Sequence, residues 1–323
     1  MPDPSLDRRS TAAEESSAGA RREAPAQSPW PGLLSALTFG LATPATKVVF
    51  EGVPDLWKGG WLYLASGLGL SAVVALRRGS RGAPLARADL PWLAGAIVSG
   101  AVIAPYAFTR GVGENPAFLA SLLLNVEVVF TAAIAALFFG ERVSGRRRVG
   151  VGLVALGGAA CAAVTAERSG DATLAGCLWT ILACLGWALD NNLTSRIAAK
   201  DAVAIARWKG LVGGGATLSL AAALGAWPSG VSARVWLGGA AVGVVGFGLS
   251  LVLFIRSLRA LGAARTGALF GTAPFLGAVA SAAFLGESVS PWIVGAGAVM
   301  AAGVVLATRS EPETPPGIGP VPR

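Results

Sequence analysis

Apolar runs of about 20 residues, each closed off by a short polar or basic stretch, recur along the whole chain. A helix rises about 1.5 Å per residue, so a run of that length crosses about 30 Å of hydrocarbon. Inside hydrocarbon each backbone N–H and C=O needs a protein partner, and a single apolar run of this length meets that demand as an α-helix. Ten such stretches can be drawn, near 32–50, 56–76, 90–110, 117–139, 147–166, 173–196, 203–224, 235–257, 264–285 and 291–308. Charged residues are 14% of the 323, where a soluble domain carries about 25%. The pattern therefore predicts an all-α integral membrane protein with ten transmembrane helices.

The ends of the chain are different. Residues 1–30 are polar and rich in Pro, Ser, Ala, Glu and Arg, without periodicity, and read as a disordered tail. They contain no apolar core followed by a small-residue cleavage site, so they are not a secretory signal. Residues 310–323 read as a second disordered tail.

The net charge of +8 does not point to nucleic acid, because Lys and Arg sit in small clusters between apolar runs rather than along one face. Their distribution orients the chain instead, since short cytoplasmic loops retain basic residues. All but five of the 26 Lys and Arg fall on one side of the ten-helix layout; Arg110, Arg168 and Arg234 fall on the other, with Lys47 and Lys58 near it. Both termini are then cytoplasmic. Trp30, Trp57, Trp92, Trp227, Trp236 and Trp292 stand at expected helix ends, where amphipathic rings favour the membrane interface.

Histidine is absent, and Cys161, Cys177 and Cys184 show no metal-ligand or redox spacing, so no metal or other cofactor is expected. GxxxxGK[ST] does not occur either, which argues against ATP as the driving force.

The chain also repeats itself. FFGERVS at 138–144 returns as FLGESVS at 284–290, an offset of 146 residues. At that offset Gly40 meets Gly186, Ala42 meets Ala188, Asp55 meets Asp201, Phe108 meets Phe254 and Arg110 meets Arg256. Gly67 and Gly69 meet Gly213 and Gly215; one residue of slip then aligns Gly150, Gly152 and Gly158 with Gly295, Gly297 and Gly303. The repeats are residues 31–168 and 169–309. Each holds five helices, an odd number, so the second must enter the membrane upside down. Inverted-topology repeats of this kind build many secondary transporters around a site near the midplane.

These motifs resemble the EamA-type permeases of the drug/metabolite transporter superfamily. The resemblance rests on the paired F-[FL]-G-E-x-[VL]-S signatures and on EGVPDLW, LLLNVEVVFTAAIAALFFGE, CLGWALDNNLT and LGAARTGALFGTAPFLGA, and it covers about residues 32–308. It implies a multi-pass carrier of the bacterial inner membrane with a central cavity, often exporting metabolites or amphipathic compounds, and it says nothing of the substrate.

Polar residues inside the spans are the candidate site. Glu127 lies near the centre of AFLASLLLNVEVVFTAAIAALFF (117–139), two residues after Asn125. An unpaired charge there costs about 2.5–3.5 kcal/mol on insertion scales, so it must face a cavity or a partner. Asp190 and Lys209 fall at similar depth in the sixth and seventh helices and could pair. WALDNNLT supplies Trp187, Asp190 and Asn191; Asp190 and Thr194 share one helix face and Trp187 and Asn191 another. Lys47 and Tyr106 complete the candidate substrate- or proton-binding set. Pro44, Pro105 and Pro274 interrupt the first, third and ninth helices and are candidate gating kinks. At the repeat offset Glu127 meets Ala273, so the scaffold does not require a carboxylate there, and Glu127 belongs with the site.

The expectation is a secondary-active exporter of small organic metabolites or amphipathic compounds, not an enzyme, working by alternating access. A membrane scaffold or sensor would not need the polar interior. An intramembrane lipid-modifying enzyme would need clustered His, paired acids or a metal set, and none is present. The sequence does not distinguish a monomer from a homodimer.

Overall fold

The structure is a computed structural model that describes residues 28–76, 82–140, 144–167, 172–287 and 289–308. The terminal tails, residues 28–30 apart, and Glu141 of the first signature lie outside the described residues. Among the described residues nine helices are long and apolar enough to cross a membrane. In chain order they are α1 (Trp30–Val49), α2 (Asp55–Leu76), α3 (Arg87–Glu114), α4 (Ala117–Phe139), α5 (Gly145–Val164) and α6 (Leu174–Ser195), followed after α7 by α8 (Ala233–Leu261), α9 (Arg265–Leu285) and α10 (Pro291–Thr308). Helix α7, residues 202–223, is of similar length, but Arg207 and Lys209 lower its hydropathy.

Helical backbone continues through the junction of α8 and α9, where the sequence predicts a loop. The hydroxyls of Ser257 and Thr266 nevertheless lie 2.9 Å apart. Nine residues of straight helix would separate them by about 13.5 Å along the axis, so the chain reverses direction between them. Outside the helices, an isolated bridge joins Ala83 to Lys200.

The two halves interlock rather than sit side by side. Helix α1 packs on α8 and α6 on α3, contacts that the repeat offset interchanges; α2 packs on α7, its own repeat mate, and α5 on α10. Glycines permit these approaches. A Cβ on Gly210 would fall 2.7 Å from Gly67 Cα, and one on Gly303 would fall 2.7 Å from the Gly150 carbonyl oxygen, distances that real side chains do not show. The GxxxG pair Gly210 and Gly214 in α7 is thus a packing surface against α2.

Departures from α-geometry recur at the same offset. Helix α3 contains a π-segment at Val98–Ile103 and α8 one at Gly243–Leu249. Helix α4 contains a 3-10 turn at Leu124–Val126, and α9 breaks at Gly271 and Thr272 before resuming at Ala273. A third π-segment, Lys209–Gly213, lies in α7. Such bulges in otherwise regular helices are frequent at functional sites. Each candidate proline falls early in a helical segment that follows a break: Pro44 in Ala42–Val49, Pro105 in Ala104–Glu114 and Pro274 in Ala273–Leu285. There the backbone already departs from α-geometry, so the bond that each proline cannot make falls beside a π-segment or a turn.

Trp57 stands in the first turn of α2, at a helix end as expected, but its ring is turned into the protein and fully buried, stacked on Trp61 and edge-on to Trp227 and Trp236. Helix-end position marked the height of the ring but not its direction, and Gly239 lets α8 close over this cluster. Trp30 and Trp292 are exposed, as interfacial rings would be.

Candidate functional site

Adjacent residues on a helix point about 100° apart, so Asp190 and Asn191 of α6 address different neighbours. Asp190 faces α7, where Lys209 Nζ donates to both carboxylate oxygens at 2.6 Å. The Thr194 hydroxyl, one turn on, donates to Asp190 Oδ1 at 2.9 Å. Asn191 faces α4, and its Nδ2 donates to Glu127 Oε1 at 2.6 Å. Asp190 and Lys209 are almost wholly removed from solvent. Two backbone devices make this possible. Lys209 opens the π-segment of α7, and Gly100 of the α3 π-segment leaves room for the Asp190 carboxylate.

Glu127 is the first residue after the 3-10 turn of α4. Among the described residues it makes no ion pair, and a neutral amide is its side-chain donor. The three ionisable groups border one cavity, with about 60 Å³ of space, enough for about four waters at roughly 15 Å³ each. Its walls are aromatic: Phe39 of α1, Tyr63 of α2, Trp187 of α6, Phe247 and Phe254 of α8, and Phe270 of α9. The rings hold one another edge-on or tilted, Phe39 against Trp187 at 5.6 Å and against Phe270 at 5.3 Å. The Trp187 indole N–H donates to both the Tyr63 hydroxyl and the Gly100 carbonyl at 3.1 Å. Gly246, Ser250 and Leu251 complete the lining.

Of the residues singled out from the sequence, Glu127, Trp187, Asp190, Asn191 and Lys209 meet at this cavity. Three others lie elsewhere. Asn125 is buried and turns back on its own helix, donating to the Leu122 carbonyl at 3.0 Å. Lys47 donates to the backbone carbonyl of Asn115 in the connection between α3 and α4. Tyr106 packs edge-on against Trp179. Apart from Trp187 the aromatic wall is not marked in the sequence, although the repeat offset carries a signal for part of the lining: Tyr63 is the mate of Lys209, and Gly246 the mate of Gly100.

The three cysteines are buried; the Cys184 thiol donates to the Leu123 carbonyl of α4 at 3.5 Å. Among the described residues no group of three or more Cys, Asp or Glu could hold a metal ion.

An all-helical membrane protein with repeated halves and a cavity walled from both is the architecture of a carrier. Sequence comparison gives the particular family: the EamA-like transporter family matches residues 30–161 and again 174–309, so this chain belongs to it. A relative from Methanothermobacter thermautotrophicus, named "Uncharacterized transporter", is 28% identical over 298 residues, covering 85% of each chain. One from Streptantibioticus cattleyicolor, named "Probable terminal-alkyne amino-acid exporter", is 28% identical over 304 residues, covering 87% of this chain and 93% of the other. A solved crystal structure shares the fold with a TM-score of 0.62 at 17% identity, covering 86% of this chain and 94% of that one.

Proposed function

We propose that the protein is a secondary-active exporter of small organic metabolites that works by alternating access, with both termini in the cytoplasm of a bacterial cell and the chain in its inner membrane. The observation that carries this reading is the cavity itself. Ion-paired and hydrogen-bonded groups in membrane spans are costly to retain, and here they border a space walled by helices of both repeats. The matched breaks in α3 and α8, and in α4 and α9, give each half an equivalent place to bend. The relative from S. cattleyicolor is named as an exporter, which supports export as the direction of transport.

Alternating access is tested without knowing the substrate. In a background with Cys161, Cys177 and Cys184 replaced by alanine, Ser250→Cys places one thiol on the cavity wall. In right-side-out and inside-out vesicles, a membrane-impermeant maleimide is expected to label that thiol from either face. Labelling from one face alone, or from neither, would support a non-transporting scaffold or sensor instead.

A further inference from the structure

We infer that the cavity is a cation site, selecting a compact apolar amine over a zwitterion or an anion, with Glu127 as the group that receives the ammonium. This rests on the transport reading above and names its substrate class. The first argument is charge. The cavity is bordered by two carboxylates and one ammonium, Glu127, Asp190 and Lys209. Lys209 already gives hydrogen bonds to both oxygens of Asp190, and Thr194 adds a third to the same carboxylate. That pair is internally compensated. Glu127 has only Asn191, a neutral donor, so whenever Glu127 is ionised the uncompensated charge of the site is negative, and an incoming ammonium favours that ionised form. A carboxylate held away from water gains most from a counter-charge that comes with the ligand.

The second argument is the wall. Six aromatic rings border the same space, and the faces of aromatic rings carry negative charge that attracts a cation, most strongly where water is excluded. A ligand carboxylate would find the opposite. Among the described residues no second Lys or Arg borders the cavity, so an anion could be held only by breaking the Lys209–Asp190 pair. Size sets the third limit, because room for about four waters admits a compact body and not a drug-sized one.

Three compact probes with one branched-alkyl body separate the classes: isobutylamine, L-valine and isovalerate. Titrated calorimetrically into the purified full chain, the amine is expected to bind saturably. Valine should bind at least tenfold more weakly, and isovalerate should give no heat of binding. Glu127→Gln should weaken the amine at least tenfold while the protein still melts cooperatively; if that variant does not fold, the ranking of the three probes on the native chain decides. Valine or isovalerate binding as tightly as the amine would overturn the proposal. So would amine binding unchanged by Glu127→Gln, or no binding by any probe. The Ser250→Cys labelling is independent of these results, so a carrier of another substrate class remains distinguishable from a protein that does not transport.

Discussion

Gly100 of α3 lies against Asp190 of α6 so closely that a Cβ there would fall within 3.0 Å of Asp190 Cβ and Cγ as well as of Oδ2. The glycine is therefore part of the ion-pair site, although it carries no side chain. Gly100→Ala would push Asp190 away from Lys209, and overpacking of this kind costs about 1–3 kcal/mol. Gly152→Ala is the matched control, because nothing lies within 4 Å of the added Cβ and alanine is the better helix former. Melting in one detergent should show a clear fall for the first and no loss for the second. Equal melting temperatures would remove Gly100 from the site.

Asp190 and Lys209 should behave as a unit. Removing one partner leaves a buried charge without compensation, which costs about 3–5 kcal/mol, whereas removing both can be nearly neutral. Lys209→Met and Asp190→Asn are each expected to lower the melting temperature strongly. The double variant should recover much of the loss, because the Thr194 hydroxyl can still bond the asparagine oxygen. Additive losses in this double-mutant cycle would mean that the 2.6 Å pair carries no coupling.

The membrane class, the repeat and the Asp190–Lys209 pair were legible because each leaves a mark in the sequence alone. Blocks without charge mark the spans, a shared offset marks the duplication, and two opposite charges at one depth have few alternatives to each other. Polarity, however, says that a group needs a partner without saying which one. Lys47 and Asn125 found theirs in backbone carbonyls, away from the cavity. The aromatic wall was hidden for the converse reason. Phe39, Phe247 and Phe270 sit in apolar runs where lipid-facing and cavity-facing rings look alike. The π-segments were hidden too, since an extra residue in one turn rotates every later side chain without altering composition.

Trp187 joins α2, α3 and α6 through a single N–H shared between the Tyr63 hydroxyl and the Gly100 carbonyl. Loss of one acceptor should therefore matter less than loss of the donor. Tyr63→Phe is expected to cost under about 1 kcal/mol, because the indole keeps its bond to Gly100. Trp187→Phe leaves both acceptors without that donor and a gap beside Phe39 and Phe108, and should cost about 1–3 kcal/mol or more. Melting of the two variants gives the order. A larger loss for Tyr63→Phe would show that the tyrosine acts through contacts other than this hydrogen bond.

Glu287, from the second FxGE signature, caps a helix of the opposite repeat. The backbone N–H groups of Ala117 and Phe118 at the start of α4 donate to its two carboxylate oxygens, each at 2.7 Å. The first turn of a helix has donors without intrahelical partners, and a carboxylate there also meets the positive end of the helix dipole. Glu287→Gln keeps the shape but loses the charge and one of the two acceptors. The expected cost is about 1–3 kcal/mol, since hydrogen bonds to charged groups are the stronger ones. Glu51→Gln, at an exposed residue, should stay within about 0.5 kcal/mol of the native protein. Hydrogen exchange localises the effect: the amides of Ala117 and Phe118 should exchange faster in Glu287→Gln while those of α5 do not change. Unchanged exchange at those two amides would show that the cap does not hold α4 in place. If the cap is lost, the helix that carries Glu127 is loosened at one end, and the reach from Asn191 to Glu127 is the contact expected to weaken next.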